Sequence, residues 1–262
     1  MGSTQGRAVS IQRGKLYLVP APLDFGCEQQ ASLQTVMPLG TLQIAARIGC
    51  WICENAKSTR AYLKRINELE ALRTPVQMLQ INELPREIHK KGDHNVLFDA
   101  RPLLSVALEG QDIGLVSEAG MPAIADPGSS VVRAAHDLGL QVIALTGPMS
   151  LMLTLASSGL NGQNFAFVGY LPQDPSGRVQ RIRELESLAL KTGQTQIFIE
   201  TPYRNVALIQ ALLSILQGNT RLALGCGLTL DAGVSHSAVT SQWKRDKPTL
   251  PLELPTVFCI GR

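Results

Sequence analysis

Five short apolar runs punctuate the chain between Lys15 and Leu145, with segments of helical spacing between them. They are Lys15 to Val19, Gly49 to Glu54, Val76 to Ile81, Asp112 to Ser117 and Gln141 to Leu145. Parallel strands need long crossover connections, and crossovers are usually helical. The alternation therefore points to an α/β fold with a doubly wound, mostly parallel five-stranded sheet covered on both faces. The spacing predicts helices over Leu39 to Ile48, Thr59 to Asn67, Pro102 to Leu108 and Ser129 to Leu138. Gly49, Gly110 and Gly139 stand where three of these stop. Ser58 or Asn55 can cap the helix from Thr59. Pro20 to Pro38, with three prolines and Gly26, reads as a long loop. Leu84 to Asn95 is polar and reads as an exposed excursion.

Proline and glycine cluster at Gly147-Pro148, so a boundary is placed there. It gives one domain over 14–147 and another over 148–262. The second half has fewer helices per strand, which suggests a mixed sheet. Helices are expected over Ser150 to Ser158, Arg178 to Lys191 and Arg204 to Leu216. Strands are expected over Phe165 to Val168, Gln194 to Glu200, Leu222 to Leu228, Val234 to Val239 and Thr256 to Ile260. The helix from Arg178 sets Ile182, Leu185, Leu188 and Leu190 near one face. Arg181, Arg183, Glu184 and Glu186 lie opposite and read as a solvated face.

The composition supports two packed domains, since 45% of the 262 residues are hydrophobic and only 17% are charged. A net charge of +3 permits an anionic partner without demanding one. Five scattered cysteines are not a disulfide framework and fit a reducing cytoplasm. Cys50-Trp51-Ile52-Cys53 lies in an apolar strand with no second ligand pair, so it reads as buried filler. No apolar run reaches the ~18 residues of a membrane helix. Met1 to Arg13 is polar, lacks an apolar signal core and reads as a leader. The chain holds no G-x-G-x-x-G, no Walker A sequence and no H-E-x-x-H. His89, His94, His136 and His236 are not spaced as a metal set, so no metal is expected.

Open α/β sheets place their ligands beyond the carboxyl ends of strands. The stretch from Ile113 to Gly128 stands there: a strand, then a loop with Gly120, Pro122 and Pro127. Glu54, Glu118 and Glu200 each close or follow an expected strand and are candidate general bases. Arg60 and Arg204 suit a phosphate or carboxylate clamp. Each of these charged residues is equally at home in a helix cap or a salt bridge.

Ser117-Glu118-Ala119-Gly120-Met121-Pro122, followed by Asp126-Pro127-Gly128, resembles the Ser-Asp-Ala-Gly-Thr-Pro…Asp-Pro-Gly signature of tetrapyrrole-methylase-type methyltransferases. Other motifs follow in the family's order. Leu16 to Leu23 is similar to its first strand and loop, and Glu54 to Arg60 to its Glu-Asp-Thr-Arg. Thr146 to Ser150 is similar to its Pro-Gly-Pro-Ser, Phe165 to Pro172 to its Phe-x-Phe-x-Gly-Phe-Leu-Pro, and Glu200 to Arg204 to its Glu-Ser-Pro-His-Arg. The branch most resembled methylates a ribose 2′-hydroxyl of small-subunit ribosomal RNA. The resemblance implies S-adenosylmethionine in a cleft between the two domains, and a homodimer. It implies a cofactor site of Ser117, Glu118, Ala119, Gly120, Met121, Pro122, Thr146, Gly147, Pro148, Ser150, Tyr170, Leu171, Thr201 and Pro202. Pro20, Pro22, Glu54 and Arg60 would line the substrate side, with Glu54, Arg60 and Glu200 as catalytic candidates.

The sequence departs from the pattern at Glu118 and Met121, where the family has Asp and Thr. It also departs at Leu23-Asp24-Phe25, in place of Gly-Asn, and in a Glu54 to Arg60 segment three residues longer. The chain stops at its last expected strand, without the small C-terminal domain often found in the ribosomal RNA branch. Two alternatives stay open: a methyltransferase acting on a small molecule or tetrapyrrole, and a catalytically silent cofactor-binding module. An apolar trough would favour the small molecule. A basic rim, for which Arg60, Lys64, Arg65, Lys90 and Lys91 are available, would favour RNA.

Overall fold

The computed structural model describes residues 12–91, 93 and 98–262; the side chains of 89–91 are not described. The leader up to Ile11 and His94 lie outside the described residues. The chain forms two compact units. The first takes the residues up to Pro22 together with Leu33–Gly147, the second Leu23–Ser32 with Pro148–Arg262.

The first unit is a five-stranded sheet of β1 (Lys15–Leu18), β2 (Cys50–Cys53), β3 (Gln80–Glu83), β4 (Ile113–Val116) and β5 (Gln141–Ala144). Its order is β3-β2-β4-β1-β5, and every pair is parallel. Its helices are α1 (Leu33–Val36), α2 (Leu39–Arg47), α3 (Ala56–Asn67), α4 (Arg86–Lys91), α5 (Ser105–Leu108) and α6 (Ser129–Asp137). Successive strand residues point to opposite faces. Trp51 and Cys53 therefore pack under α2 and α3, with Leu42, Leu63 and Ile66. Leu16, Cys50, Ile52 and Leu115 pack under α5 and α6, with Ala107, Val131 and Ala135. The same alternation sends Cys50 and Cys53 to separate cores, as free buried thiols. Gly114 makes room for the Trp51 ring, which a Cβ there would meet at 2.6 Å.

Four local expectations need correction here. The third strand starts at Gln80, because Met78 donates its amide to the Pro75 carbonyl and closes a 3-10 turn over Val76–Met78. The helix expected from Thr59 begins at Ala56. The Asn55 side chain, rather than Ser58, caps it by accepting from the amides of Lys57 and Ser58. The long loop from Pro20 contains α1. The excursion from Leu84 contains α4 and buries Ile88 and Asp93, so it is not simply exposed.

The second unit holds β6 (Phe165–Tyr170), β7 (Thr195–Glu200), β8 (Arg221–Cys226), β9 (Val234–Val239) and β10 (Thr256–Gly261) in the order β6-β7-β10-β8-β9. Only β6 and β7 are parallel, which makes the sheet mixed as expected. Helix α7 (Ser150–Ser158) covers one face through Leu151 and Leu155. Helices α8 (Pro175–Thr192), α9 (Asn205–Ile215) and α10 (Thr240–Asp246) cover the other through Ile182, Leu212 and Trp243. Sequence pattern missed α10, whose seven residues present one large apolar anchor, Trp243. Helix α8 begins at Pro175 because Asp174 caps it, accepting from the Gly177 amide at 2.7 Å. Glu186 was expected on its solvated face and is buried instead. Its carboxylate accepts from the Gln217 amide at 2.8 Å and the Thr220 hydroxyl at 2.5 Å. Leu188, expected inside, is exposed.

Candidate active site

In the first unit, β1 and β4 are parallel neighbours, and the chain leaves them in opposite directions. After β1 it crosses β4 to reach β2; after β4 it crosses β1 to reach β5. Such a switch point opens a crevice at the carboxyl ends of the two strands. The loops that emerge there are tied together. Ala21 donates its amide to the Gly120 carbonyl at 2.9 Å, and Gly120 donates to the Ala21 carbonyl at 3.0 Å. The end of β5 joins them. The Thr41 hydroxyl donates to the Thr146 carbonyl at 2.7 Å, and Gly147 lies so near Pro20 that a Cβ would meet its ring at 2.3 Å.

The loop beyond Gly120 carries strain. Ala123 and Ala125 have φ of 65° and 66°, and Gly128 has φ of 136°. Left-handed alanines cost roughly 1–2 kcal/mol each and persist only where their surroundings fix them. Asp93 is part of what fixes this loop. Its carboxylate accepts from the Gly128 amide at 2.9 Å, the Ser129 hydroxyl at 2.7 Å and the Ser130 amide at 2.7 Å. Burial pushes this carboxyl up, but the donors outweigh it and hold it below the usual aspartate range. Asp93 thus caps α6 from a distant segment, a role no local sequence signal announced.

Three acids gather at the same end of the sheet. Glu54 follows β2, Glu118 follows β4, and Asp126 lies in the strained loop. Burial, then the charges of Glu54 and Glu118, push the Asp126 carboxyl up to about 7. The Ser58 hydroxyl in the first turn of α3 donates to Glu118 at 3.4 Å. In the sequence Asp126 stands out only as part of the Asp126-Pro127-Gly128 motif. Its place beside two glutamates depends on the loop path, which sequence spacing does not give. Ser117 is buried, and its hydroxyl finds no hydrogen-bond partner among the described residues. Arg60 stands exposed on α3, one turn beyond the Asn55 cap. Gly120 and Pro122 are buried, while Glu118, Ala119 and Met121 are half-buried. Among the described residues, no group of three or more histidine, cysteine or acidic side chains is placed to hold a metal.

In the second unit, Tyr170 ends β6 and Glu200 ends β7. The Glu200 carboxylate accepts from the Thr201 amide and hydroxyl, both at 3.1 Å, and pairs with the Arg204 guanidinium. That hydrogen bond raises the Arg204 pKa, and the guanidinium lies 5.0 Å from the centre of the Tyr203 ring. Tyr170 and Tyr203 are exposed, whereas Leu171 is buried. Pro202 opens a 3-10 turn, Pro148 is buried, and Ser150 is the first residue of α7.

No family model matches the sequence. The fold is that of a known class of methyltransferase. The crystal structure of uroporphyrin-III C-methyltransferase from Thermus thermophilus superposes with a TM-score of 0.53 over 95% of this chain and 94% of that one, at 17% identity. The sequence identifies the family more narrowly. The ribosomal RNA small subunit methyltransferase I of Leptospira borgpetersenii is 30% identical over 196 residues, covering 74% of this chain and 76% of that protein. The protein of the same name from Micromonospora olivasterospora is 31% identical over 218 residues, covering 83% of this chain. The chain belongs to the ribosomal RNA small subunit methyltransferase I family. It spans 60% of the length of the Micromonospora relative and 46% of that of Vibrio cholerae.

Proposed function

We propose that the chain is an S-adenosylmethionine-dependent methyltransferase acting on a ribose 2′-hydroxyl of ribosomal RNA. The observation that carries this is the crevice of the first unit. Two loops tied by reciprocal backbone bonds bring glycines, a buried hydroxyl without a partner and a set of acids to the switch point of a parallel sheet. The residues fit the cofactor. Ser117 offers a buried donor, and Gly120 to Pro122, Thr146 and Gly147 offer backbone with little side-chain bulk. In the second unit Pro148, Ser150, Tyr170, Leu171, Thr201 and Pro202 are the candidates by family resemblance. S-adenosylmethionine supplies an electrophilic methyl group on a sulfonium.

The protein's part is positioning and proton handling. Glu54 would take the proton of the acceptor hydroxyl, whose oxygen would replace the sulfonium sulfur on the methyl carbon, the carbon–sulfur electron pair leaving with sulfur as a neutral thioether. Arg60 holds a neighbouring phosphate. Glu200 acts through Arg204, which its ion pair orients. The same resemblance supports a cytoplasmic homodimer, to be checked by sedimentation. No helix among the described residues is long and apolar enough to cross a membrane.

The test is calorimetric titration with S-adenosylmethionine and its demethylated product, with NAD as control. The first two are expected to saturate and the third not. Undermodified ribosomal RNA is then expected to gain a ribose methyl, read as resistance of one phosphodiester to alkali. Cofactor binding with methyl transfer only to small molecules would move the acceptor. Cofactor binding with no transfer at all would leave a silent module.

A further inference from the structure

Helix α3 starts at the crevice and carries charge of one sign. Its basic residues are Lys57, Arg60, Lys64 and Arg65, and it has no acid between Ala56 and Asn67. Lys57, Arg60 and Lys64 are exposed and spaced by three and four residues. They therefore line one face over about two turns, about 10 Å. This is costly for the helix on its own. Like charges at this spacing repel. Lys57 also sits in the first turn, where the helix dipole disfavours a cation and the helix's own first turn holds no acid.

A face that only serves solubility mixes its signs, as α8 does where Arg181 pairs with Glu184 at 3.3 Å. Among the described residues, none of Lys57, Arg60 and Lys64 forms an ion pair. Two carboxylates meet the first turn of α3 through its amide and hydroxyl donors. Glu83 accepts the Ala56 amide at 2.6 Å, and Glu118 accepts the Ser58 hydroxyl.

We infer that the Lys57–Arg60–Lys64 face is a phosphate track. It guides the backbone of a single-stranded RNA toward the acids at the carboxyl end of the sheet. This rests on the ribosomal RNA reading above and adds where the RNA lies. Charge complementarity points to an anionic partner, and the ribosomal RNA reading makes that partner RNA, because Lys57, Arg60 and Lys64 line one face, form no ion pair among the described residues and start beside the crevice.

The experiment is fluorescence anisotropy of a labelled single-stranded RNA against the full chain over a salt series, with polyglutamate as a competing anion. Arg60 is left in place because it is a catalytic candidate. Lys57→Gln with Lys64→Gln is expected to weaken RNA binding about tenfold or more, and to lower the salt slope by about 1–1.5. Its calorimetric affinity for S-adenosylmethionine is expected to stay at the wild-type value, which reports an intact fold. Arg183→Gln with Lys191→Gln on α8 makes the same change in net charge and is expected to shift RNA binding less than twofold.

Equal weakening by both pairs would reduce the effect to net charge and overturn the track. Unchanged RNA binding in the α3 pair would overturn it while leaving the RNA reading intact. Loss of polyglutamate binding with RNA binding retained would assign the face to an acidic protein and also overturn it. A wild-type chain that binds S-adenosylmethionine but no RNA would fail the RNA reading itself, and the track with it.

Discussion

Asp93 and Asp126 flank the same helix start and answer to opposite fields. Asp93 faces two amides and a hydroxyl at the beginning of α6, which hold its carboxyl down. Asp126 is two residues from Gly128 yet faces Glu54 and Glu118, and burial with those charges holds its carboxyl up near 7. The first is a structural anion placed where a helix terminus wants one. The second holds its proton up to near neutral pH, because burial disfavours its charged form and the charges of Glu54 and Glu118 add to that. Glu200 differs from both: its carboxylate pairs with Arg204 and accepts from the amide and hydroxyl of Thr201.

The comparison is sharpened most by removing the proposed base. Glu54→Ala is expected to cut turnover by about 10²–10⁴-fold with cofactor affinity near normal, read by single-turnover methylation and calorimetry. Loss of both together would give Glu54 a structural role.

Asp126→Asn comes next. A raised folded pKa means the folded state keeps a proton that the unfolded chain loses above about pH 4. Wild-type stability therefore falls as pH rises from about 4 toward 7. The asparagine variant is expected to lose that slope and to gain up to about 4 kcal/mol over wild type at pH 8, with no gain at pH 4, by urea unfolding.

Asp93→Ala is expected to cost about 2 kcal/mol at pH 7. For a lowered pKa the sign reverses. The contribution is present above the unfolded pKa and lost as pH falls through the folded one, so the variant and wild type converge in acid. Glu200→Gln has the smallest effect, about 1 kcal/mol of stability, with Arg204 less ordered.

Much of this was legible in the residues. The alternation from Lys15 to Leu145 implied a parallel sheet because only crossovers connect parallel strands. Ser117 to Gly128 stood out as the candidate site because its glycines and prolines follow a strand that reads as buried. Strand ends were harder. Pro75 diverts Val76–Met78 into a turn, and Asn55 reaches back to start α3 early. Both outcomes hinge on one or two hydrogen bonds that hydrophobic period does not register.

What the sequence determined by itself was the order of the strands and the location of the glycine-proline loops, since these depend on local spacing and composition, and the family, through motifs that resemble its own in the same order. Tertiary structure alone decided the electrostatics. It brought Asp93 across 35 residues to the start of α6, set Asp126 against Glu54 and Glu118, and gave Glu200 to Arg204. A carboxylate's role follows from the donors and charges within a few ångströms, and those are set by how distant strands pair, not by its neighbours in the chain.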